Sequence, residues 1–121
     1  MPPDRSGAAL ADMLQAAEAI RRYLAGKTRE DYEREDLLRH AVERNIEIIG
    51  EAARRLSNSF REGHPAIPWR PIMATRHILA HEYDEVDNDI IWRIVTEHVP
   101  ELLRQLRTLM PPAPPDPEPE G

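Results

Sequence analysis

Apolar residues recur at three- and four-residue intervals through most of this chain, the period of an α-helix with one buried face. Leu10, Leu14, Ala17, Ile20 (or Arg21) and Leu24 form the first stripe. Asp4 or Ser6 can cap its start, and Gly26 fits the position just past its end. Thr28-Arg29-Glu30-Asp31 reads as a capping box opening a second, longer helix. Its stripe is Leu38, Val42, Ile49, Ala52 (or Ala53) and Leu56, widened by Leu37, Ile46 and Ile48, with Asn45 also on it. Gly50 falls mid-helix, at a cost of up to about 1 kcal/mol against alanine, which a close approach of two helices there explains. Residues 57–70 carry Ser, Asn, Gly and two prolines and read as a loop, pinned to the body by Phe60, Ile67 and Trp69.

A third helix is expected from about Pro71 to His81, since proline suits a first turn. Asp84 to Asn88 then form a turn, with Asp87 as N-cap of a fourth helix whose Ile90, Ile91, Ile94 and Val95 face inward. Pro100 either kinks that helix or starts a fifth over 100–110, with Leu102, Leu103, Leu106 and Leu109. The fold class is all-α: an antiparallel four- to five-helix bundle over residues 1–110. Residues 111–121 hold six of the twelve prolines and form a Pro-rich, acidic, solvated tail.

Composition narrows the function classes. The 121 residues include no cysteine, which removes disulfide scaffolds, thiolate zinc sites and cysteine nucleophiles. No apolar run approaches the ~20 residues of a membrane span, and the N-terminus lacks a signal-like pattern, so the expected setting is cytoplasmic. Net charge is −6; Asp116, Glu118 and Glu120 of the tail supply three of those charges, leaving −3 for the rest. That balance argues against a general nucleic-acid coat but not against a small cationic site.

Groups able to do chemistry crowd into Arg76-His77-Ile78-Leu79-Ala80-His81-Glu82-Tyr83. Three readings compete. His77 and His81 lie at i and i+4 on one helix face, as two metal ligands would, with His64 or Glu82 needed as a third. The same cations could merely suit the C-terminal end of a helix dipole. Or a histidine could move protons to and from a phosphodiester while an arginine stabilises charge on phosphorus, which needs no metal and no cofactor. Arg76 and His81 stand five apart, about 140° around an ideal helix with ~7.5 Å of rise, so they do not share a face. A second subunit could complete such a site. His40 and His98 read as helix-surface groups, and Glu43, Arg44, Glu47 and Glu51 as a salt-bridged surface, with Arg44 or Glu47 facing a cleft as the alternative. Trp69 and Trp92 read as core anchors.

Arg76-x4-His81-x-Tyr83 resembles the R-x4-H-x-Y motif of HepT, the toxin of HEPN/MNT toxin–antitoxin pairs. Ala41-Val42-Glu43-Arg44 and Ile48-Ile49-Gly50-Glu51-Ala52 are similar to that family's second helix, Ile67-Pro68-Trp69-Arg70 precedes the motif, and Trp92 to Pro100 with Glu101-Leu102-Leu103 is similar to its last helices. The resemblance runs from about residue 8 to 110. It implies a HEPN bundle forming a homodimer, with the motifs of two protomers facing each other in a cleft that cleaves RNA without metal. By position it makes Arg76 and His81 the catalytic pair. It makes Tyr83 the residue that a partner nucleotidyltransferase, the MNT antitoxin, modifies with AMP. His77 stands where HepT usually has asparagine, as a second proton-transfer group or a hydrogen-bonding substitute. A different class is also open: a non-catalytic HEPN subunit that holds nucleotide for a two-gene nucleotidyltransferase.

Overall fold

The computed structural model describes residues 6–81 and 88–109, apart from the side chains of Arg76, His77, Ile78, Ala80 and His81. The expected roles of Asp4, Asp87 and the tail therefore lie outside the described residues, as do Glu82 and Tyr83. Every element described is helical: α1 (Ser6–Leu24), α2 (Arg29–Arg34), α3 (Asp36–Arg55), α4 (Asn58–Glu62), α5 (Trp69–His81), α6 (Asn88–Arg93), a π-helical turn (Ile94–His98) and α7 (Val99–Leu109). The all-α reading holds.

Helices α1 and α3 form a hairpin that supplies most of the core, and α5 and α7 lie against it. Gly26 takes the turn between α1 and α2 with φ +75°, a backbone region that costs glycine nothing. The buried stripe of α1 centres on Met13, Ala17 and Ile20, with Leu14 half-buried beside it. From α3 come Leu38, Val42, Ile46, Ile49, Ala52 and Ala53. The ion pair of Arg55 with Asp12 at 2.5 Å pins the hairpin's open end.

Four expectations are corrected. First, the long second helix is two helices. The capping box is present, the Thr28 hydroxyl accepting from the Asp31 N–H and the Asp31 carboxylate from the Thr28 N–H, but the helix it opens ends at an extended Glu35. Tyr32 explains the break. On an unbroken helix it would stand about 240° from Leu38 and miss the core; re-aimed by the break, it is fully buried. Arg39 holds the joint, donating to the carbonyls of Tyr32 and Glu33 and to the Asp36 carboxylate. Leu37, on the far side of the joint, is 87 % exposed instead of widening the stripe.

Second, the 57–70 loop contains α4, capped by the Ser57 hydroxyl, which accepts from the Phe60 N–H at 3.1 Å. Third, α5 begins at Trp69, which leaves Pro71 inside the first turn, where a missing N–H costs no bond. Fourth, Ile90 is 42 % exposed, whereas Ile91 and Val95 are buried as expected. Pro100 neither kinks nor starts a helix. The chain widens into a π-turn before it, with the Val99 N–H donating to the Ile94 carbonyl, and this absorbs the register that proline would disrupt.

Candidate active site on the C-terminal half of α5

The placement of α5 begins at its foot. Arg61 of α4 donates to the carbonyls of Ala53 (3.0 Å) and Leu56 (2.6 Å), closing the C-terminal end of α3. The Trp69 indole N–H in turn donates to the carbonyls of Arg61 (3.1 Å) and His64 (3.0 Å), so the first residue of α5 is tied to the last turn of α3. Phe60 packs on both the His64 and Trp69 rings, at 4.3 and 6.4 Å. From this foot α5 runs back along α3, with the Arg54 guanidinium reaching the Met73 carbonyl at 3.5 Å. Ile72, Met73 and Leu79 are half-buried and pack on the core, whereas Ala74 is exposed.

Register then places the motif. Positions 77 and 81 follow exposed Ala74 by three and seven, on its face of the helix. Position 76 follows Ile72 by four, so Arg76 and His81 belong to different faces, about 140° apart. The helix brings His77 and His81 to one face and leaves Arg76 off it. Tyr83 falls two residues past the last residue of α5, outside the described residues.

The face of α3 toward α5 carries Arg54, Gly50, Glu47 and Glu43 at spacings of four, three and four. With Met73 at the level of Arg54, each step up α5 is a step back along α3, which brings position 77 about level with Gly50 and position 81 about level with Glu47. Gly50 is buried, in keeping with a close approach at that point. Glu43 and Glu47 thus stand at the motif end of the bundle. Glu47 pairs with Arg44 at 3.4 Å on a largely exposed flank, and Glu51 is exposed, as a charged surface would have them. Glu43 is different. It is half-buried, and burial raises its carboxyl pKa against the opposing pull of His40 and Arg39. The clue in the sequence was its spacing from Gly50, the same seven residues that separate Glu47 from Arg54.

Tyr32 adjoins this end. Its hydroxyl is buried with no hydrogen-bond partner, and burial together with the Glu43 carboxylate pushes its pKa upward. Its ring lies 5.8 Å from that of Trp92, which is half-buried, whereas Trp69 is buried as an anchor. On its other side α5 borders an apolar groove of about 570 Å³, floored by Ile46 and Ile49 and closed by the π-turn and α7. His98 is exposed at its rim, and His40 is exposed on α3. No helix among the described residues is long and apolar enough to cross a membrane.

Comparison with known proteins points one way. Residues 13–109 match the family described as Ribonuclease HepT-like. A Caldanaerobacter subterraneus subsp. tengcongensis protein named as a candidate RNase is 37 % identical, over 84 % of this chain and 90 % of its own length. A Methanocaldococcus jannaschii protein, also named as a candidate RNase, is 35 % identical over 80 % of this chain and 89 % of its own. "Probable ribonuclease HepT" of Thermococcus cleftensis is 38 % identical over 77 % and 84 %. No solved structure matches the chain significantly.

Proposed function

The chain belongs to the HepT-like ribonuclease family, and from that premise we propose that it is the toxin of a HEPN/MNT toxin–antitoxin pair, an endoribonuclease that cuts RNA without a metal. The observation that carries the reading is that the family match, residues 13–109, spans the whole stretch in which Arg76, His81 and Tyr83 stand. Helical register supports it further. A pair set on different faces of one helix gains most from a second copy that supplies the opposite half, as a homodimer with facing motifs would.

In the proposed reaction a histidine imidazole takes the proton from an RNA 2′-hydroxyl, and the 2′-oxygen forms a bond to phosphorus. The bond to the 5′-oxygen then breaks, and that oxygen leaves with a proton from an imidazolium. The products are a 2′,3′-cyclic phosphate and a 5′-hydroxyl, with no net proton consumed. His81 is the proton-transfer group, Arg76 holds the phosphoryl oxygens and stabilises their added charge, and His77 supports the pair by hydrogen bonding. AMP on Tyr83, placed there by the nucleotidyltransferase antitoxin, would set bulk and negative charge two residues from His81 and repel an incoming phosphate.

The test is cleavage of total cellular RNA by the purified protein in excess EDTA, beside His81→Ala. Cleavage that survives EDTA and falls about 10²-fold or more in the variant is the expected result. Equal cleavage by both proteins would sink the assignment of His81. If neither cuts, intact mass decides: an added AMP means a silenced toxin, and an unmodified chain that binds nucleotide means the non-catalytic subunit.

A further inference from the structure

Helix α2 exists because the chain breaks at Glu35, and its tertiary links are few. Neither α2 nor α6 packs broadly against any helix beyond its neighbours in the chain. They are instead tied to each other twice. Arg29 forms an ion pair with Asp89, and the Tyr32 ring lies 5.8 Å from that of Trp92. Arg29 and Tyr32 are three apart on α2, and Asp89 and Trp92 are three apart on α6, so one face of each short helix carries both links.

The gripping side is itself held firmly. The capping box fixes the start of α2, Lys27 pairs with Glu35 at 2.9 Å across it, and Arg39 holds its last carbonyls. Tyr32 is fully buried. Apart from Ile91 in the core, the gripped side depends on these two links. Asn88 opens α6 only seven residues after His81 closes α5. Wherever α6 is set, the chain leaving His81 must arrive.

We infer that Arg29 and Tyr32 are positioning residues for the motif: through Asp89 and Trp92 they fix the downstream end of the segment that starts at His81. The inference takes its functional meaning from the ribonuclease reading, but its geometric core does not need it. The link acts on placement, so it shows in kcat and in the surroundings of His81, whereas an exposed ion pair adds little to stability.

The experiment is a cycle of Arg29→Gln, Asp89→Asn and the double variant, with Arg29→Lys as the conservative rescue. Three quantities are read: the thermal midpoint, the His81 and Asn88 backbone amide resonances by NMR, and kcat and KM for RNA cleavage. Expected are a nearly unchanged midpoint, displaced amide resonances and a kcat lower by about 10-fold, with KM little altered. The double variant should be no worse than either single one, and Arg29→Lys should recover most of the loss. Unmoved His81 and Asn88 resonances in the single variants would overturn the inference, whatever the activity. A wild-type protein that cuts no RNA would count against the ribonuclease reading alone, because the resonances would still decide the clamp.

Discussion

The two ends of the bundle are built on opposite principles. At the foot of α5, polar groups are answered: Arg61 closes the carbonyls of α3, Trp69 donates to two carbonyls, and the His64 ring nitrogen Nδ1 lies 2.8 Å from the Phe60 carbonyl. At the motif end, the Tyr32 hydroxyl is buried without a partner and Glu43 holds a desolvated carboxyl. The exposed large apolar side chains Tyr23, Leu37 and Ile90 also stand at that end. The comparison teaches where this chain keeps its stability. A strongly bonded foot fixes the direction of α5, and the residues proposed for chemistry sit at the end that carries the unsatisfied groups, as is common where function and stability compete.

The largest break in this contrast should come from the foot. Trp69→Ala removes a buried ring and the donor that ties α5 to α3, with an expected loss of about 3–5 kcal/mol by urea denaturation. A loss under 1 kcal/mol would mean that the foot is not the anchor. Arg61→Ala leaves two helix-end carbonyls unpaired, for an expected cost of about 1–3 kcal/mol. RNA cleavage by this variant should stay near the wild-type rate below its transition, because the change leaves the motif positions alone.

At the other end the same kind of substitution should be nearly silent. Tyr32→Phe removes a hydroxyl that has no bond to lose, so stability should change by less than about 1 kcal/mol or rise slightly. A loss above that would reveal a partner for the hydroxyl.

The smallest expected effect is a matter of sign. The folded pKa of Glu43 is raised, so the folded chain binds more protons than the unfolded one between the ordinary glutamate value and the raised one. Stability should fall as pH rises through that window, and Glu43→Gln should flatten the fall. Asp31 runs the other way. Its pKa is lowered, chiefly by the Thr28 backbone N–H, so its contribution is present above the ordinary aspartate value and lost as pH falls below it. Stability against pH for the wild type and the two Gln and Asn variants separates the contributions.

Periodicity alone located α1, the α3 stripe from Leu38 to Leu56, and the inward leucines of α7, because burial on one face demands that spacing. It also found the capping box, which is a local chemistry of three intervening bonds. It missed the break at Glu35 and the burial of Tyr32, since no local signal near Glu35 opposes a helix. The break follows from the need to bury one aromatic ring against Trp92, sixty residues away. It missed α4 because five residues are too few to show a period, and that helix depends on Ser57 and the reach of Arg61.

The candidate site divides in the same way. Arg76, His77, His81 and Tyr83 were legible as a run of residue types and as a resemblance, and their mutual angle follows from helix geometry. Glu43 was read as a surface charge, and only packing shows it half-buried at the motif end. What the amino-acid sequence determines by itself is therefore local and periodic: which segments are helical, where they are capped, and which run holds the reactive groups. What only the tertiary structure decides is which groups are denied water or a partner, and which distant residues grip the motif's flank, because both depend on surfaces brought together from far apart in the chain.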